Sequence, residues 1–117
     1  MAVDKSFEEE WKAALTLFEK KFGEDMDMQA ILFLIGVQEL GKGPQKFAKD
    51  EKVGLIHIAI CTLLAPFGYY ELEGHDDDGW PHYKNIKKLP ALQSGEQLKL
   101  MKVAVMDYMD NHKEFFQ

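Results

Sequence analysis

The stretch Ala30 to Val37 is apolar on every side of a helix apart from Gly36, and such a segment is stable only where protein surrounds it. Asp25 or Asp27 offers a side-chain oxygen to cap its N-terminus, and Gly41 supplies a left-handed exit. These signals predict a buried helix ending near Leu40. A second greasy run, Val53 to Tyr70, contains His57, Gly54, Pro66 and Gly68. Pro66 cuts it below the ~20 residues that a bilayer span needs, so it reads as a core helix from near Asp50 to Leu64. Ile56, Ile58 and Ile60 also alternate, which leaves a strand as the competing form.

Two amphipathic segments flank these. Phe7, Trp11, Ala14, Leu15, Phe18 and Phe22 recur at helical spacing before Gly23, and Ser6 with Glu9 has the spacing of a capping box. Near the other end, from Ser94 to about Phe115, Leu98, Met101, Val105, Tyr108, Met109 and His112 form one stripe. Leu100, Val103 and Met106 fall outside it, among Lys99, Lys102, Asp107 and Asp110. Between the helices, Lys42 to Lys49 reads as a connector with a helical turn around Gln45 to Ala48. Phe67 to Leu92 is irregular. Tyr69 to Glu73 and Trp80 to Ile86 have the makings of a short hairpin, although Pro81 demotes the second strand, and an ordered loop held by its aromatics competes equally. The expected fold is mainly α. It is a single domain over 1–117, a four- to five-helix antiparallel bundle with an irregular or short-hairpin insertion before the last helix.

Charge narrows the function classes. The net charge is −6, and all fourteen basic residues are lysine. Without arginine, and with Lys84, Lys87 and Lys88 as the tightest basic cluster, the chain lacks the positive stripe that nucleic acid requires. The first twenty residues are glutamate-rich rather than basic and then apolar, so no cleavable leader is expected. The one cysteine, Cys61, excludes an internal disulfide. The reading is cytoplasmic, with neither nucleic acid nor membrane as partner.

The acidic stretch Glu71, Glu73, His75, Asp76, Asp77, Asp78 and His82 has the donor types a divalent metal takes, and His75, Asp76, Asp78 and His82 are its candidate ligands. The calcium-loop pattern fails, however. With Gly79 at loop position 6, Asp76 and Asp78 fall correctly, but Gly74 and Asn85 occupy positions 1 and 12. The order His57, His75-Asp76, Asp107 or Asp110 is similar to that of helical metal-dependent phosphohydrolases, yet this dyad lies in a glycine-flanked loop and the spacings are short. His57 and Cys61 share a helix face with Val53, Ile60 and Leu64, which points to an inert thiol beside a core histidine. Glu8, Glu9 and Glu10 lack the further carboxylate of a nucleotide pyrophosphatase helix, since Lys12 stands there. Gly41-Lys42-Gly43-Pro44 lacks the spacing of a phosphate loop. Tyr69, Tyr70, Trp80 and Tyr83 either line a pocket or pin the loop to the helices.

The runs QAILFLIGVQELGKG (Gln29 to Gly43) and GHDDDGWP (Gly74 to Pro81) resemble a family of small bacterial proteins with no assigned activity. The resemblance spans most of the chain and brings no catalytic residues. The residues themselves favour a non-enzymatic interaction or binding module with no cofactor. It would form a homodimer or bind another protein through Leu100, Val103 and Met106. The alternative is a divalent-metal protein or metal-dependent hydrolase centred on the acidic loop.

Overall fold

The computed structural model describes residues 5–43 and 45–116. The described residues form four helices, α1 (Lys5–Phe22), α2 (Met28–Leu40), α3 (Lys49–Leu64) and α4 (Ser94–Asn111), and an antiparallel pair of strands, β1 (Tyr70–His75) and β2 (Pro81–Asn85), which lies between α3 and α4 in the sequence. Short 3-10 turns follow α3 (Ala65–Phe67) and α4 (Lys113–Phe116). The protein is therefore α+β, which corrects the expected four- to five-helix bundle. The chain divides into two compact units: α1 and α4 with the final turn form one, and Asp27–Ala91 forms the other. No helix among the described residues is long and apolar enough to cross a membrane.

In the Asp27–Ala91 unit, Asp27 caps α2 by accepting from the Ala30 N–H at 2.8 Å, and Gly41 closes the helix at φ 73°. Gly36 is where α2 meets the α3 backbone. A Cβ there would lie 2.7 Å from the Leu55 carbonyl carbon and 3.0 Å from its Cβ, and nearer still to the carbonyl oxygen. The absence of a side chain is what permits this close approach. Leu40, Leu55 and Ile58 form the cluster beside it, with Phe33, Val37, Phe47 and Trp80 packed around them. Phe47 meets the Phe33 ring edge-on at 6.0 Å. The connector holding Phe47 is non-helical, contrary to the turn expected at Gln45 to Ala48. The start of α3 is closed by the Glu51 carboxylate, which accepts from the Ala48 N–H at 2.8 Å.

The hairpin forms because its proline sits where it does least harm. Pro81 is the first residue of β2, paired with His75 at the loop end of the ladder, and a strand's first position tolerates the missing donor. The register shifts between Leu72 and Gly74, which makes Glu73 the extra residue of a bulge. Trp80 anchors one end of β2 against the α3 cluster, its ring 3.4 Å from where a Cβ on Gly54 would stand. Tyr83 anchors the middle, its hydroxyl 3.0 Å from that of Thr62 on α3. The strands are thus a layer on α3, not an appendage to a bundle.

In the other unit, α1 buries Trp11, Ala14 and Phe18, and α4 buries Ala104, Val105, Tyr108 and Met109. Lys99 and Lys102 of α4 lie over the rings of Phe7 and Trp11 at 5.0 and 5.5 Å, covering aromatic faces with charge. Two expectations change. Helix α1 is already formed at Lys5, so Ser6 lies inside it and its hydroxyl turns to Glu10 at 3.4 Å instead of capping. Helix α4 stops at Asn111, short of Phe115, because polar side chains compete for its last carbonyls: Asn111 donates to Asp107 O at 3.1 Å, and His112 to Tyr108 O at 2.8 Å while stacking on the Tyr108 ring.

Candidate functional site

The acidic loop is organised around one carboxylate. Asp76 Oδ1 accepts from the backbone N–H groups of Trp80 (2.9 Å) and Asp78 (3.0 Å), and Oδ2 lies 3.0 Å from His82 Nε2. The Gly79 N–H returns to Asp76 O at 3.0 Å, with Gly79 at φ 85°. The His82 hydrogen bond, first, and then the Trp80 and Asp78 amides hold the Asp76 carboxyl below the usual carboxylate range. Of the four candidate ligands, the fold brings together Asp76 and His82. Among the described residues no three His, Cys, Asp or Glu side chains gather in a group able to hold a metal. The Asp78 carbonyl accepts from Lys42 Nζ instead. The phosphohydrolase-like order is not assembled either, since His57 lies beside Cys61 and Asp76 beside His82.

Cys61 is fully buried, and burial pushes its thiol up to about 11. Its Sγ lies 3.5 Å from His57 Nε2. The expected inert cysteine fits this setting. The expected core histidine does not, because His57 is exposed on the outer side of α3. Of the loop aromatics, Trp80 and Tyr83 pack the hairpin on α3, and Lys87 covers the Tyr69 ring at 5.3 Å; the Tyr69 backbone carbonyl accepts from Ile86 N–H and Asn85 Nδ2 at 3.0 Å each. Tyr70 is half-buried at the start of β1. In the glycine-lysine turn, Gly41 is the α2 cap, and Pro44 lies outside the described residues.

An open apolar groove lies in the α1–α4 unit, with a volume of about 480 Å3. Ala13, Ala14 and Leu17 line it from α1, and Met106 and Met109 from α4, while Glu10, Asp110 and Lys113 supply its charged lining. Leu17, in the second half of the eighteen-residue α1, is 45% exposed. Of the three α4 residues that break the main stripe, Met106 lines this groove, Val103 is exposed, and Leu100 is half-buried. Leu98, assigned to the buried stripe by periodicity, is 44% exposed, and Ala104 is buried on α4 without having been expected there. The α1 side of the groove was not anticipated. Its signal is Leu17 itself, an apolar residue off the Trp11-Phe18 stripe, in the same way that Met106 departs from the stripe of α4.

No family model, curated protein or solved structure matches the chain.

Proposed function

We propose that this protein is a non-enzymatic binding module whose working surface is the groove between α1 and α4, and whose ligand is the apolar stripe of a helix on a protein partner. The carrying observation is the groove itself. It has an alanine floor, a half-exposed leucine, two methionines and a charged border. Methionine side chains are flexible and polarizable, so they fit apolar partners of varied shape, and a helix lying in an apolar groove is a common mode of peptide recognition. A cytoplasmic setting suits a chain with one buried thiol and no disulfide. Within the acidic loop, Asp76 accepts from the Trp80 and Asp78 amides and lies against His82, contacts that hold the hairpin turn.

The magnitude is modest. Each large apolar side chain buried by docking contributes roughly 1.5–3 kcal/mol, and association costs several kcal/mol, so two or three anchors leave weak binding, at about millimolar to high-micromolar affinity. The test is fluorescence anisotropy with labelled amphipathic helical peptides selected against the protein. Peptides should bind the wild type at about millimolar to high-micromolar affinity and lose at least about tenfold on Leu17→Glu. Peptides that bind Leu17→Glu and Met106→Glu as well as the wild type would place recognition elsewhere and overturn the reading.

A further inference from the structure

The face of α1 that borders the groove has the layout of its own complement. Glu10, Ala13, Leu17 and Lys20 recur at spacings of three and four, so they share one face. Glu10, Ala13 and Lys20 are exposed beside the 45% exposed Leu17. This face is symmetric about the level of Leu15. Turned end for end, it sets a carboxylate at 10 against an ammonium at 20, and a leucine at 17 against an alanine at 13.

Resting on the groove reading, we propose that the docked helix is α1 of a second copy of this chain, packed antiparallel about a twofold axis at the level of Leu15. A twofold contact uses the same patch on both subunits, so every favourable pair occurs twice. Leu17 of each copy enters the hollow over Ala13 and Ala14 of the other, a knob in a hole left open by small residues, and Met106 and Met109 close around it. Charge selects the direction. In α1, Glu8, Glu9 and Glu10 outnumber Lys5 and Lys12 in the first half, and Lys20 and Lys21 outnumber Glu19 at the end. Antiparallel docking puts the acidic end beside the basic end twice. Parallel docking stacks like on like, and such juxtaposition excludes wrong arrangements. The helix dipoles favour the same direction.

Sedimentation equilibrium on the full chain, from about 10 μM to about 1 mM, tests this, with far-ultraviolet circular dichroism confirming that each variant keeps its helices. The wild type should show a monomer–dimer equilibrium, and Leu17→Glu should be monomeric throughout. Glu10→Lys and Lys20→Glu should each weaken association by roughly tenfold, because each sets like charges together at two places. Mixing these two variants should restore dimers, since both pairs then become opposite in sign. A wild-type protein that stays monomeric to the top of the range overturns the inference. Dimers indifferent to Leu17→Glu, or a mixture that associates no better than its components, overturn it as well. If the wild type is monomeric but binds the helical peptides, the groove reading stands and the second copy alone falls.

Discussion

Gly36→Ala isolates the tightest packing found at any of the glycines. In an exposed helix this change is favourable, by roughly 0.5–1 kcal/mol, because alanine loses less backbone entropy on folding. Here the new methyl would stand 2.7 Å from the Leu55 carbonyl carbon and 3.0 Å from its Cβ. Backbone cannot swing aside like a side chain, so α2 and α3 must separate by several tenths of an ångström or more, and the cluster of Leu40, Leu55 and Ile58 loosens with them. Overpacking of this kind costs roughly 1–3 kcal/mol, with backbone clashes toward the upper end. After the propensity gain, the net loss is about 2 kcal/mol. Gly54→Ala is the matched control: its Cβ meets Trp80 at 3.4 Å, an ordinary contact, and it should be neutral or stabilising by up to about 1 kcal/mol. Urea unfolding followed by circular dichroism measures both. Equal or increased stability for Gly36→Ala, matching Gly54→Ala, would refute the close packing of α2 on α3.

Three further outcomes follow from the described contacts. Asp27→Ala should cost about 1 kcal/mol by removing the 2.8 Å cap on Ala30 N–H, read as a lower urea midpoint at unchanged slope, whereas Asp25→Ala should not. The Cys61 thiol is raised in the folded state to about 11, so it favours the native form fully below the unfolded value of 9.0; that contribution declines as pH rises and is gone above 11. About two units correspond to roughly 2–3 kcal/mol, and Cys61→Val should lack this part of the alkaline decline in a pH series of urea midpoints. Asp76 is shifted the other way, so its contribution is present above the usual aspartate range and lost as pH falls through the lowered value. Carboxyl-detected NMR should find Asp76 titrating below ordinary aspartate, and a midpoint at or above the ordinary value would contradict the hairpin geometry; Asp76→Asn should speed amide exchange at Asp78 and Trp80.

The elements that were legible were those whose ends and burial are both written locally. Gly23 and Gly41 end α1 and α2, Asp27 opens α2, and the Trp11-Phe18 stripe is buried as its period implies. The hairpin was legible only as one of two options, because its strands have no apolar face to read. Tyr70 is half-buried, Glu71, Leu72 and Glu73 are exposed in succession, and a bulge at Glu73 breaks the alternation. What holds it is tertiary, namely Trp80 and Tyr83 on α3, and no local period reports that. The bundle expectation failed for a related reason. Apolar helix faces alone do not report that part of the cover for α3 is a strand layer. At the groove, the sequence flagged Met106 through its position off the stripe but not Leu17, since one leucine off a stripe is common on any surface helix.

Methyl NMR of the methionines during serial dilution reads directly whether the α1–α4 groove receives α1 of another copy. The Met106 and Met109 methyl signals should move together with protein concentration, with one apparent dissociation constant, while Met28 on α2 stays still. Signals at Met106 and Met109 that hold their positions at every concentration, or that move no more than Met28, would contradict that docking.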